Sequence, residues 1–253
     1  MTPLVIGLIT LCIVFSGALV GMLINRLLPP HHVSSQTQTA ITVATAVVGT
    51  MSALVLGLLI SSANMSFSTR NAEIDRISAD VIRLDRVLHR YGTDADDVRA
   101  ALQHYAAVKL AELFPGGNYR KPNMDDPKSA NQLEAVQDAI LLLNPADDRQ
   151  HWLQTEALQL AAEISETRWL LALQNASSIP SPFLILLVFW LTLLFTSFGL
   201  FAPRNVTATV ALFLCAAAAS SGIGMVLEMD HPYDGIVQLS TAPLRHALDI
   251  VGR

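Results

Sequence analysis

Thr45, Gly49, Ala53, Gly57 and Ser61 fall at every fourth position of one apolar stretch, and on a helix that spacing makes a single ridge of small side chains. Two chemistries suit such a ridge. Small residues let helix backbones approach closely inside a membrane, and Gly17 and Gly21 of an earlier stretch offer a partner of the same kind. Alternatively the Thr and Ser hydroxyls line a pore and replace part of an ion's hydration shell. The spacing leaves both open. A second capable group is Glu228, Asp230, His231 and Asp234. Carboxylates beside so apolar a run need a partner or water. Arg70 and Arg168, at the corresponding ends of other apolar runs and with Asn64 nearby, are the cations that can supply one. This polar group reads either as an ion-pair cluster at a membrane boundary or as a vestibule that selects ions. A third group is His31 and His32, with Arg26 and Arg204 placed on the same side. Adjacent histidines sense pH or bind a metal weakly, but no third ligand accompanies them, so an interfacial polar turn is the better reading.

The chain carries no glycine-rich phosphate loop, no HExxH, no nucleophile elbow and no pair of intramembrane aspartates. We therefore expect no catalytic site, no cofactor and no metal centre. Cys12 and Cys215 both sit in apolar runs and read as small packing residues rather than a disulfide. His89, His104 and His151 lie on helical segments and read as solvated or structural.

The elements that position these groups follow from charge. Of 37 charged side chains, 29 lie between Arg70 and Arg168. Residues 1–25, 27–69, 169–203 and 205–227 hold no Asp, Glu, Lys or Arg. A helix needs roughly 20 apolar residues to cross about 30 Å of hydrocarbon, and all four stretches suffice. The mean hydropathy of +0.44 over 253 residues excludes an ordinary soluble domain. The predicted spans are about Leu4–Leu27, Thr39–Ala63, a third that begins after Pro180 and Pro182 and runs to about Phe201, and Val206–Leu227. Short connectors at 28–38 and 202–205 make them two antiparallel hairpins. The net charge of −5 comes wholly from the segment between them, which argues against nucleic acid as a partner.

That insert is helical on pattern, and nothing reads as a strand. Phe67, Ile74, Ile77, Val81, Leu84, Leu88 and Tyr91 form a heptad seam, interrupted only by Arg70. No Pro or Gly separates the seam from span two, so one helix should run through to Gly92. Further helices are expected at 94–114 and 130–143, and a last one capped by Asn144 with Pro145 in its first turn. The fold expected is all-α: a first transmembrane hairpin at 1–63, a helical-bundle insert at 64–180, a second hairpin at 181–229, and a tail at 230–253 with a short amphipathic helix. Arg70, Arg76, Arg168 and Arg245 mark the insert side, against only Arg26 and Arg204 opposite. By the positive-inside rule the insert and both termini are cytoplasmic.

Several runs resemble the bestrophin-like domain family of bacterial membrane proteins: LPPHH at 28–32, ALVLGLLISSA at 53–63, LDRVLHRYG at 84–92, FWLTLLFTSFGLFAPRN at 189–205, MVLEMDHPYDG at 225–235 and STAPLRHAL at 240–248. The resemblance implies a likeness in layout to bestrophins, which are oligomeric anion channels with four spans and a cytoplasmic helical insert. On it we expect a homo-oligomer in the bacterial inner membrane, with the lipid bilayer and an inorganic ion as partners. The alternative is a non-conducting scaffold or sensor whose insert binds a cytoplasmic partner.

Overall fold

The computed structural model describes residues 3–29, 35–113, 127–173, 180–203, 205–230 and 239–251, and all structure reported below concerns these. Among them there is no strand. The helices are α1 (Pro3–Leu27), α2 (Ser35–Tyr91), α3 (Asp96–Leu113), α4 (Pro127–Leu141), α5 (Asp148–Leu173), α6 (Ser181–Phe201), α7 (Val206–Asp230) and α8 (Ala242–Ile250). α1, α2, α6 and α7 are each long and apolar enough to cross a membrane. The chain divides into two compact units. One holds α1, α2 up to Phe67, α6 and α7; the other holds α2 from Ser68 together with α3, α4, α5 and α8.

α2 is a single helix of 57 residues. No Pro or Gly interrupts it beyond Gly57, and it ends where Gly92 takes φ +122°, a left-handed conformation that favours glycine.

In the first unit α1 packs closely on α6 and α7. Gly17 lies against Thr192 and Thr196, and Gly21 against Thr196 and Leu200, so α1 and α6 run parallel. Gly7 meets Gly224, and the Phe15 ring meets the Phe213 ring edge-on at 5.3 Å, so α7 runs antiparallel to both. α2 joins the bundle through Gly49 beside Leu194 and Leu56 beside Gly222, which sets it antiparallel to α1. The start of α1, the start of α6 and the end of α7 therefore share one end of the unit. The pairing of Gly17 and Gly21 with the α2 ridge is corrected accordingly: their partner is α6. A shared core joins all four helices, with Val14 and Ala18, Leu59 and Ala63, Leu187 and Phe195, and Ala216 and Ile223 buried.

The second unit buries the seams that periodicity predicts. Ile74, Ile77, Val81, Leu84, Leu88 and Tyr91 of α2 are buried, as are Val98, Leu102 and Tyr105 of α3, Leu133, Val136 and Ile140 of α4, and Leu153, Leu160 and Ile164 of α5. α8 packs on α3 through its apolar face, with Leu244 and Ala247 buried, and Gln103 donates to the Val251 carbonyl at 3.4 Å. The start of α5 differs from expectation. The helix begins at Asp148, not after Asn144: Asp147 Oδ1 accepts the Gln150 amide at 2.7 Å, and Gln150 Oε1 accepts the Ala146 amide at 2.7 Å. Asp147 thus serves the orphan amides of the first turn, the role sequence reasoning gave to Asn144.

Candidate functional site

The small-residue ridge lies on the membrane half of α2, and most of it faces out of the unit. Thr45 is half-buried, its hydroxyl donating back to the Ile41 carbonyl at 2.8 Å. Gly49 sits beside Leu194, a Cβ there falling 3.8 Å from the leucine methyl. Further along, Ala53, Gly57 and Ser61 are exposed, and a Cβ at Gly57 would meet nothing within 4 Å. The face of α2 that enters the core is a different one, carrying Ser52, Leu59 and Ala63. A row at four-residue spacing drifts around a helix by about 40° per step, because 3.6 residues make a turn. The ridge accordingly starts near the core at Thr45 and ends on the opposite side at Ser61. Leu54 and Leu58, beside its outer half, are 69% and 71% exposed.

Of the polar groups at the span ends, Glu228 and Asp230 are buried in the last turn of α7, in the first unit. Asn64 is exposed on α2. Arg70 and Arg168 belong to the second unit. Arg70 occupies a seam position of α2 and is 2% exposed, a burial that a guanidinium tolerates only with polar partners. The Arg168 guanidinium stands 5.1 Å over the Trp169 ring, a cation–π contact. His31, His32, Arg204 and Asp234 lie outside the described residues, as does His231. Arg26 is exposed in the last turn of α1, where a cation meets the negative end of the helix dipole.

Sequence reasoning passed over the charge network of the second unit. Asp80 is 3% exposed, with Arg83 Nη1 at 3.1 Å from its Oδ1 and Arg76 Nε at 3.8 Å from its Oδ2. Arg83 also approaches Glu163 of α5 at 3.9 Å. Asp85, 2% exposed, takes a forked contact from Arg99 of α3, at 3.0 Å to Nε and 3.4 Å to Nη2. The Arg76, Asp80 and Arg83 spacings of four and three were the available signal, though nothing in periodicity shows that an aspartate beside a seam is buried. At the end of α2, burial lifts the Tyr91 phenol above its usual 10.0, and the Asp94 and Asp147 carboxylates add to the rise. Among the described residues no cluster of His, Cys, Asp and Glu has the makings of a metal site.

The geometry of the first unit offers a ridge whose outer half, Ala53, Gly57 and Ser61, is exposed. The family model described as Bestrophin-like domain matches residues 12–244. No curated protein matches the sequence. Among solved structures, a variant of a bacterial bestrophin homolog from Klebsiella pneumoniae superposes with a TM-score of 0.72 at 13% identity, covering 100% of this chain and 99% of that one. A second variant of the same homolog gives 0.69 at 13% identity, over 98% and 99% of the two chains. At that identity the likeness carries the fold alone.

Proposed function

The chain belongs to the bestrophin-like domain family, and from that premise we propose that copies of it assemble around α2 into a conduit for small inorganic ions, anions first, across the bacterial inner membrane. The observation that carries this reading is the exposed outer half of the ridge. Ala53, Gly57 and Ser61 are exposed, and a Cβ at Gly57 would meet nothing within 4 Å; lipid gains little from touching small side chains. A row of them is better matched to neighbouring helices or to a narrow water-filled path, where hydroxyls and reachable carbonyls act on an ion. One copy has too few spans to enclose a pore, so a homo-oligomer is part of the proposal. The insert and both termini are taken as cytoplasmic, because Arg70, Arg76, Arg168 and Arg245 gather on that side.

One observation favours the second reading, a scaffold whose helical insert binds a cytoplasmic partner. Leu141 and Leu142, at the end of α4, are 61% and 79% exposed, and Trp152, at the start of α5, is 56% exposed. Large apolar groups at such exposure suit a partner surface. Reconstitution separates the two. In liposomes of the purified chain with Cys12 and Cys215 replaced, the conduit reading expects anion flux that an aqueous thiol reagent blocks once Gly57→Cys is introduced. Absent flux, with Gly57→Cys unreactive from water, would leave the scaffold.

A further inference from the structure

We propose that the end of α5 lies in the phospholipid headgroup layer on the insert side of the membrane, with Trp169, Leu170 and Leu173 turned to lipid. These side chains are 45%, 39% and 65% exposed, and at about 100° per residue they share one face of the helix. Ile164, Thr167 and Leu171, buried in the second unit, take the nearly opposite face. The end of α5 is thus apolar on its outer side, where a helix facing water carries polar groups. The Arg168 guanidinium, 5.1 Å over the Trp169 ring, completes an amphipathic pair of the kind that collects where lipid meets water.

Two independent observations say what covers this face. The first is charge. From Arg70 to Arg168, 29 of 99 residues are charged; from Trp169 to Pro203 none is. α6 begins only at Ser181, so the charge-free run opens twelve residues before the span that accounts for the rest of it. A surface for a soluble partner has no reason to lose its charge in step with a membrane span, whereas one resting on lipid does. The second is depth along α2. Arg149 and Gln150 donate to the Arg90 and Tyr91 carbonyls at 3.3 and 3.1 Å, and Glu163 lies 3.9 Å from Arg83, so α5 runs back along α2 antiparallel to it. Continued in step from these contacts, Leu173 comes level with about residues 68–73 of α2 and Trp169 with about residues 72–77. The charge-free run of α2 closes at Thr69, which leaves Leu173 within about 6 Å of its end and Trp169 about 5–12 Å beyond it. A headgroup layer is roughly 5–8 Å deep on each side of the hydrocarbon. Leu173 falls inside that layer and Trp169 at its outer boundary. The proposal holds whether or not the chain conducts ions.

Fluorescence of the full chain in phosphatidylcholine liposomes tests this. With Trp152→Phe and Trp190→Phe, Trp169 is the one indole left. Its emission is expected to fall by about half when the lipid carries bromine near the acyl carbonyls, by less when the bromine sits deeper, and to resist aqueous iodide. Trp152, kept alone by Trp169→Phe and Trp190→Phe, should show the reverse, because it stands at the opposite end of α5. An indole moved one turn along the helix, by Leu173→Trp in the chain lacking the other three, should respond more strongly to the deeper bromine than Trp169 does. Quenching of Trp169 by iodide and not by brominated lipid would place the end of α5 in water. Protection from both would mean that protein covers it, a second copy or another partner. Either result overturns the proposal, as does equal bromine quenching of Trp152 and Trp169. If the variants with Trp replaced do not fold, a nitroxide at Leu173→Cys, with Cys12→Ser and Cys215→Ser, decides instead: broadening by oxygen dissolved in lipid more than by an aqueous nickel chelate supports the proposal, and the opposite order overturns it.

Discussion

Gly199 of α6 lies so close to the Ala18 carbonyl of α1 that any side chain at position 199 would collide with backbone. The same is true of Gly21 against the Thr196 carbonyl. These two glycines let α1 and α6 approach as parallel helices in a medium where dispersion and close packing, not water, hold helices together.

The stability of the membrane unit should therefore depend on Gly21 and Gly199 far more than on Gly57. Overpacking a tight contact costs about 1–3 kcal/mol, and backbone offers no flexible atom to give way. Gly199→Leu and Gly21→Leu are expected to lower the melting temperature in detergent or to prevent folding. Gly57→Leu, with nothing within 4 Å of its Cβ, should leave the stability of a single copy unchanged. Equal losses in all three would contradict the packing described.

Asp85 and Arg99 form an enclosed ion pair in the second unit, with side chains 2% and 13% exposed. Removing one partner from such a pair costs about 3–5 kcal/mol, because the other charge stays buried. Asp85→Ala should destabilise strongly, and Asp85→Leu combined with Arg99→Leu should lose much less than the two singles together. Strictly additive thermal shifts would show that the pair is not coupled.

A smaller effect distinguishes the two candidate caps of α5. Asp147→Ala should cost about 1 kcal/mol, the usual worth of an N-cap, whereas Asn144→Ala should cost almost nothing. Thermal melts of the two variants, side by side, check the assignment.

The raised Tyr91 phenol gives a prediction in alkali. A folded state that holds this proton more tightly than the unfolded chain is fully stabilised below pH 10 and loses that increment as pH climbs through the folded value. Absorbance at the tyrosinate band should show a phenol titrating above the usual 10.0, and Tyr91→Phe should remove that late step and flatten the alkaline fall in stability. A late step that survives in Tyr91→Phe would assign it elsewhere.

Periodicity was enough to read the insert seams, because burial of a stripe is written as spacing, while the lack of Pro and Gly marked the unbroken run of α2 and the charge-free runs marked the approximate bounds of the four candidate spans. Partner choice was not written that way. Gly17 and Gly21 announce a close approach but not to what, and α6 answers with Thr192, Thr196 and Gly199, a small face concealed among Leu and Phe. The ridge on α2 was equally legible as a pattern, yet its drift from half-buried Thr45 to exposed Ser61 depends on which flank of α2 the core takes. Asp80 and Asp85 were invisible as buried groups, since an aspartate one position from a seam reads as solvated until a neighbouring helix covers it.

The reliance of α1 on α6 also has a consequence in time. Gly21 leaves the ribosome about 175 residues before the Thr196 it must meet, and at roughly 5–20 residues per second that is an interval on the order of ten to thirty-five seconds. Through that interval α1 stands in the bilayer with its glycine face unmatched. The first span to be made is thus among the last to be fixed in place. Errors in making α6 would strand a finished amino-terminal half that has no mate of its own.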